Sequence, residues 1–454
     1  MPAERPRAVI MAIAGLDPSG GAGLSADVKA ASALGAFCAP IIAAITVQDT
    51  KGVRSIVPVE PELLRAQAEV VIEDLRPKWA KIGVLYSAEN IKVVASLAEE
   101  HDLKLVVDPV IWAGAGQPLL AQGALEALRE HLLPAAFAIT PNAREAGALS
   151  GIEVRDLESA KEAASALAEL GPEVVVVKGG HLEGQRAVDV LFYKGRFHTF
   201  SRPRLGRDAH GSGCVFSSAL AACLALGRGV VEAVKAAGDL AWSSIRWALS
   251  IGSGRPAAEP TVELLRKAER YEVLEDVRAA VELLASEPAL VRFLPEVGTQ
   301  IAMAISRPEG VKDVAAVEGR IVRAGGRPRP VGPIRFGASS HVARIILTAM
   351  KHDPGVRAAM NLRYDPSLLE ALRDMGLLVA SFDRSREPPE VAEREGATLP
   401  WGVEEAIKAC GGRVPDVIYD LGGPGKEPMI RLLGRTAVEV ARRALEAVRR
   451  ARSS

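Results

Sequence analysis

Ala8-Val9-Ile10-Met11-Ala12-Ile13-Ala14 runs without a polar residue into Gly15-Leu16-Asp17-Pro18-Ser19-Gly20-Gly21-Ala22-Gly23, after which Leu24 to Leu34 takes up a helical pattern. Unbroken apolarity, with no alternation, is what a strand covered on both faces requires. The glycines let the following turn bend tightly and let a ligand approach the backbone, at the carboxyl end of a strand where open α/β sheets bind ligands. The spacing is neither GxGxxG nor Walker A, so it implies neither a dinucleotide nor a P-loop phosphate site.

The same pattern recurs outward from this segment. Phe37 to Ile45, Trp79 to Val84, Leu103 to Val107, Phe137 to Ile139 and Val174 to Val177 are apolar runs separated by helical stretches such as Glu60 to Glu73. The alternation predicts an α/β fold, a mostly parallel sheet doubly covered by helices. Val188 to Phe192 and Arg196 to Phe200 read as an antiparallel pair around Lys194-Gly195, followed by helices over Gly213 to Ala225 and Val230 to Leu249. Ser250 to Pro260, with two Gly, two Pro and two Ser, is the candidate linker. Beyond it come a helical Val262 to Ser286 and further elements at Val314 to Val322, Ser339 to Met350, Val403 to Ala409 and Ala437 to Arg450. A chain of 454 residues exceeds what one core usually organises. The expected division is residues 1–255, a linker and connecting helix at 256–285, and a second, smaller α/β domain at 286–454.

Lys plus Arg equals Asp plus Glu at 56 each, so no global field draws the chain to nucleic acid or to an anionic membrane, and small anionic ligands need local sites. Arg442, Arg443, Arg449 and Arg450 on the last helix read as a solvated face. The longest apolar stretch, Val215 to Leu226, falls short of the roughly 20 residues of a membrane span. Cys38, Cys214, Cys223 and Cys410 are far apart with no CxxC pair, which argues against a disulfide framework or a structural zinc and fits a cytoplasmic protein.

Several strand ends carry chemistry. His210-Gly211-Ser212-Gly213-Cys214-Val215 opens an apolar helix, and the amides of Gly211, Ser212 and Gly213 at such a start form an anion hole suited to a phosphoryl group in transfer. That position is expected to lower a thiol pKa, making Cys214 a general base for a substrate hydroxyl; Cys38, Cys223 and Cys410 are read as inert. Asp108-Pro109 and Thr140-Pro141-Asn142-Ala143-Arg144-Glu145 follow two strands. Asp108 and Glu145 suit magnesium on a triphosphate, directly or through water, and Asn142 suits ATP or a helix cap. Lys178-Gly179-Gly180-His181 sets a charge beside flexible backbone, fitting nucleotide phosphates, with His181 an ordinary polar residue.

AGxDPSGGAG, DPV, TPNxxE, VKGGH and HGxGC, in this order over about residues 8 to 250, resemble the hydroxymethylpyrimidine and phosphomethylpyrimidine kinases of the ribokinase-like superfamily. The resemblance implies ATP as phosphoryl donor, magnesium, and contacts from Gly15, Asp27 and Gln48 to the pyrimidine. The Gln48 amide, a donor and an acceptor side by side, matches the ring nitrogen and amino group of a 4-aminopyrimidine. Family members often carry Glu at that position, Thr where this chain has Ser212, and Ser or Thr where it has Leu16; these departures bear on fine specificity, not on the reaction. Pyridoxal, the substrate of a related kinase, is a candidate second substrate.

In the C-terminal region Val317-Glu318-Gly319-Arg320-Ile321, Phe336 to Arg344, Ser381-Phe382-Asp383-Arg384-Ser385 and Asp420-Leu421-Gly422-Gly423-Pro424-Gly425-Lys426-Glu427-Pro428 gather small and basic residues that suit phosphates. From about Leu294 to Gly434 they resemble the thiamine-phosphate synthase domain fused to this kinase in archaea and some bacteria, unrelated in fold to the barrel synthase. The resemblance implies Arg320 and His341 as catalytic residues, with Gly422, Gly423, Gly425 and Lys426 holding phosphate. An always-charged Arg and a proton-donating His fit the departure of pyrophosphate from a pyrimidine methylene. The expected substrates are hydroxymethylpyrimidine, its phosphates and thiazole phosphate, in a homo-oligomer, a dimer by preference. The alternative is a pyrimidine kinase whose C-terminal domain is a non-catalytic ligand sensor.

Overall fold

The computed structural model describes residues 8–114, 116–180, 185–394, 396–423 and 425–453; His181 and Pro424 lie outside them. The chain divides between Leu264 and Leu265 into two compact units, within the helix Val262–Ser286.

The first unit holds β1 (Val9–Leu16), β2 (Phe37–Asp49), β3 (Gly52–Pro58), β4 (Trp79–Ile82), β5 (Lys104–Val107), β6 (Ala136–Ile139), β7 (Val174–Val177), β8 (Arg186–Tyr193) and β9 (Arg196–Pro203). They form one sheet in the order β3-β2-β1-β4-β5-β6-β7-β8-β9. The pairs from β2 through β7 are parallel, and β3, β8 and β9 add antiparallel edges. Burial on both faces explains the unbroken apolar runs: Met11 and Ile13 pack with the helices Pro61–Leu75 and Ala88–Glu100, while Ile10, Ala12 and Ala14 pack with Gly23–Ala33 and Ser212–Ala225. One strand breaks the rule. Lys81 on β4 is fully buried, its Nζ 2.8 Å from Oδ1 of an equally buried Asp27, which also accepts from Ser218 Oγ at 2.7 Å.

Ser250 to Pro260 is not a free tether but part of this unit. Leu249 and Ala257 exchange both backbone hydrogen bonds, His210 N donates to Pro256 O at 2.8 Å, and Arg255 N donates to Thr50 O at 2.8 Å. Its glycine content answers to crowding, since a Cβ on Gly254 would collide with the Thr50 carbonyl.

The second unit holds β10 (Ile301–Ala304), β11 (Val314–Val317), β12 (Ile321–Ala324), β13 (Arg327–Pro330), β14 (Ile334–Phe336), β15 (Ala358–Arg363), β16 (Val379–Ser381), β17 (Val417–Asp420) and β18 (Met429–Gly434). Seven of them make a sheet ordered β14-β11-β10-β15-β18-β17-β16, antiparallel except for β16 with β17. Helices Ser340–His352 and Thr398–Ala409 cover one face, and Pro366–Asp374 and Ala437–Ser453 the other. The run Val314 to Val322, expected as one element, is two. Gly319 at φ 78° and Arg320 at φ 76° turn the chain out of the sheet, so that Ile321–Ala324 pairs instead with β13.

Lys81→Met strips Asp27 of its counter-charge inside the core and is expected to cost about 3–5 kcal/mol in urea unfolding, whereas Lys81→Met with Asp27→Leu costs much less. Equal losses in the two variants would contradict this account.

Candidate active sites

A cavity of about 350 Å³ opens at the carboxyl ends of the parallel strands in the first unit. Two glycine turns are pressed together to make it. Gly211 sits at φ 86°, and a Cβ there would strike the Gly21 carbonyl. A Cβ on Gly213 would stand 3.2 Å from Lys178 Nζ and 3.4 Å from Asp108 Oδ2, so only glycine leaves the start of the helix Ser212–Ala225 open to a ligand. Gly15, Gln48, Asp108, Asn142, Glu145, Lys178 and Gly211 to Cys214 all line this cavity.

Acidic and basic side chains both line the cavity. Lys178 Nζ donates to Asp108 Oδ1 at 2.7 Å. Asn142 and Glu145 form a capping box on the helix Ala143–Ser150, with Glu145 N donating to Asn142 Oδ1 at 3.0 Å and Asn142 N donating to Glu145 Oε2 at 2.9 Å. Burial pushes the Glu145 carboxyl up to about 7; Lys178 opposes the shift and Asp108 adds to it.

Two expectations are corrected. Asp27 does not line the cavity; it lies fully buried, holding Lys81, whose side chain does reach the lining. The Cys214 thiol is not lowered but pushed up to about 11, because burial outweighs the opposing charge of Lys81, and Asp27 and Asp108 add to the rise.

Asp17, His210 and Lys81 were not picked out as site residues from the sequence. Asp17 accepts from Ser19 N at 2.8 Å and Ala22 N at 2.9 Å, and its Oδ2 is 3.0 Å from His210 Nε2, which is 2.8 Å from the Gln48 amide nitrogen. Burial works to raise the Asp17 carboxyl, yet hydrogen bonds from His210 and Ser19 hold it below its ordinary value. An ionised Asp17 needs His210 Nε2–H as donor. The Gln48 amide is therefore best turned with its oxygen toward His210 and its nitrogen toward Thr46 Oγ1, which donates to Leu16 O at 3.0 Å. Asp17 and His210 both stood in the quoted motifs, and the signal for Lys81 was a lysine inside an otherwise apolar run.

A second cavity, of about 460 Å³, lies in the second unit. Arg320, His341, Arg384, Arg394, Lys426 and Arg431 line it, against one acid, Glu427. His341 stands in the first turn of the helix Ser340–His352. Arg320, at its left-handed φ, donates through Nη1 to Val297 O at 2.5 Å. Of the glycine turn, Gly425 and Lys426 reach the cavity, while Gly422 and Gly423 do not line it. Gly423 and Lys426 exchange backbone hydrogen bonds at 3.0 and 2.9 Å, and Gly422 N donates to Asp420 Oδ1 at 3.0 Å, so these glycines shape the turn that presents Lys426. Arg384 and Arg431 are both bound to Asp420. Arg384 and Asp420 stood in the segments picked out by their basic and small residues; Arg431 and Arg394 carried no such signal.

The chain matches the phosphomethylpyrimidine kinase family over residues 17–259 and the thiamine-phosphate synthase ThiN family over residues 276–446. It is 35% identical over 437 residues to the bifunctional thiamine biosynthesis protein ThiDN of Methanocaldococcus jannaschii, spanning 96% of this chain and 97% of that one. It is 38% identical over 247 residues to a hydroxymethylpyrimidine/phosphomethylpyrimidine kinase of Bacillus subtilis, spanning 54% of this chain and 91% of the relative. Among solved structures, an ADP complex of Bacillus subtilis pyridoxal kinase superposes with a TM-score of 0.52 at 30% identity, covering 57% of this chain and 99% of that one.

A thiol held at about 11 is almost wholly protonated near neutrality. Alkylation of Cys214 by iodoacetamide, followed by peptide mass analysis, is expected to be slow at neutral pH and to quicken about tenfold per pH unit up to the thiol pKa. A rate that levels off below pH about 8 would refute the burial argument.

Proposed function

We infer the function of this chain from its family: it belongs to the bifunctional proteins that join a phosphomethylpyrimidine kinase to a ThiN thiamine-phosphate synthase. It is an enzyme of thiamine biosynthesis with both activities. It phosphorylates hydroxymethylpyrimidine and then the monophosphate, with ATP as donor, and condenses the diphosphate with thiazole phosphate to thiamine phosphate and pyrophosphate. The alternative of a non-catalytic sensor domain has no support among these relatives. The observation that carries the mechanistic reading is a cavity in each unit lined by cations at glycine-shaped backbone.

In the kinase reading, the hydroxymethyl oxygen attacks the γ-phosphorus of ATP as the bond to the bridging oxygen breaks and ADP departs. The amides of Gly211 to Gly213 and the Lys178 ammonium face the charge on the transferred group. Cys214 in its thiolate form takes the hydroxyl proton; near neutrality that is the minor form of a thiol pushed up to about 11, and a loose transition state asks for the proton late, when the oxygen it leaves is most acidic. Asp108 and Glu145 line the same cavity, with Lys178 beside both and Lys81 also near Asp108, and Asp108 adds to the rise of the Glu145 carboxyl. Two neighbouring carboxylates that repel each other fit a magnesium ion, which supplies charge neutralisation on the triphosphate. Gly15 and the Gln48 amide, oriented by His210, face the pyrimidine.

In the condensation reading, pyrophosphate leaves the pyrimidine methylene and the thiazole nitrogen bonds to the carbon left behind. Arg320 balances charge gathering on the departing oxygens, and His341 donates a proton there from its place at a helix start. Gly425 and Lys426 hold phosphate.

Purified protein given hydroxymethylpyrimidine, thiazole phosphate, ATP and magnesium is expected to yield thiamine phosphate by mass detection; no product would sink the reading. Cys214→Ala is expected to stop pyrimidine phosphorylation, by about 100-fold or more, while condensation from supplied diphosphate continues, and His341→Ala to do the reverse. Loss of the same half-reaction in both variants would overturn the division of labour.

A further inference from the structure

Asp420, the last residue of β17, is fully buried and holds two guanidinium groups at once. It accepts from Arg384 Nε at 2.6 Å and from Arg431 Nη1 at 2.6 Å, with a longer contact to Arg384 Nη2 at 3.4 Å. The two arginine side chains are 12% and 5% exposed, so neither charge is relieved by bulk water. Both guanidiniums lie over the Phe382 ring, at 5.5 and 5.6 Å from its centre, and Phe382 is itself buried against Trp401. Burial pulls the Arg431 pKa down while Asp420 opposes the shift; for Asp420 burial is the largest single influence and pushes upward, but Arg431 and Arg384 together hold the carboxyl below its ordinary value.

This arrangement is unbalanced as a structural ion pair. One carboxylate for two buried guanidiniums leaves a positive charge uncompensated, and a fold seeking only stability gains nothing from the second arginine. A guanidinium carries five N–H donors, yet among the described residues Asp420 is the one hydrogen-bond acceptor recorded for either side chain. Both arginines line the cavity beside Lys426, so their remaining donors have an anion's place next to them.

The charge count selects the anion. Setting aside Arg320 and His341, the four cations Arg384, Arg394, Arg431 and Lys426, less the two carboxylates of Asp420 and Glu427, leave two positive charges, the complement of a phosphomonoester dianion. A diphosphate is more highly charged, and the cations the mechanism gives it are Arg320, tied to the Val297 carbonyl, and His341. We propose that Arg384 and Arg431, held in fixed orientation by Asp420, form the seat of the phosphate carried by the thiazole substrate. Asp420 is a positioning residue there, and the two arginines are binding residues. The assignment rests on the condensation reading above and adds to it which substrate this part of the cavity takes.

The test uses the full-length chain, supplied with pyrimidine diphosphate and thiazole phosphate, each varied in turn against a saturating amount of the other. If the unaltered chain forms no thiamine phosphate, the condensation reading itself fails, before any variant is measured. In Asp420→Asn and, separately, in the less buried Arg384→Gln, the KM for thiazole phosphate is expected to rise about tenfold or more while that for the diphosphate stays within about twofold. Preference for thiazole phosphate over the unphosphorylated thiazole alcohol is expected to shrink by the same factor. Kinase activity and the thermal unfolding of each variant report whether the chain remains intact. Should Asp420→Asn fail to fold, Arg384→Gln decides. A rise confined to the diphosphate KM overturns the assignment, and so does an equal rise for both substrates or a fall in kcat alone, since a merely structural clamp would produce those.

Discussion

Lys81 in the first unit and Arg431 in the second are cations shut away from water, each held by an aspartate that is itself fully buried. Such pairs are expensive to assemble, because two desolvation penalties must be met by one short contact and its supporting hydrogen bonds. Ser218 supplies that support to Asp27, and Gly422 N supplies it to Asp420. Both cations also reach a cavity lining, so each buried pair stands at the edge of the site proposed for its unit. The remaining features of each site, glycine turns and helix starts, are ways of bringing an anion within range of that fixed charge.

Much of the first unit was legible because its signals are local. An unbroken apolar run ending in glycines specifies a buried strand and an open turn whatever the rest of the chain does, and His210 to Val215 specifies a helix start with bare amides. What escaped depends on contacts between distant segments. Asp27, which the family resemblance implies as a pyrimidine contact, is instead claimed by the core once the chain folds and Lys81, 54 positions away, arrives beside it. Cys214 shows the same limit in energetic form. Its place at a helix start is visible in the sequence, but the depth of burial that overrides the helix's pull on the thiol is set by the strands and turns around it.

Backbone crowding accounts for two further differences. Ser250 to Pro260 has the composition of a flexible tether, yet the same glycines serve a strap lying against Thr50 and His210, and composition cannot separate freedom to move from freedom to approach. In the second unit, Val314 to Val322 has the apolar content of a single strand, and only Gly319 hints at a break. Arg320 shares the left-handed turn, a conformation uncommon for a residue with a side chain, and its guanidinium is tied back to Val297. Arg320 thus belongs to the turn that separates β11 from β12.

On the readings proposed above, the two cavities handle negative oxygen by different means, and the difference follows from what each phosphate does. In phosphoryl transfer the group changes owners, so a tight grip on its starting position would hold back the reaction; the amides at Gly211 to Gly213, fixed in a crowded turn and helix start, suit the charge where it stands in passage. The phosphate on a thiazole stays where it is throughout condensation, while the bond that breaks lies on the other substrate. A rigid pair of guanidiniums, oriented by Asp420 and backed by the Phe382 ring, costs nothing in that setting, since holding a spectator group fast carries the reacting nitrogen to a fixed place.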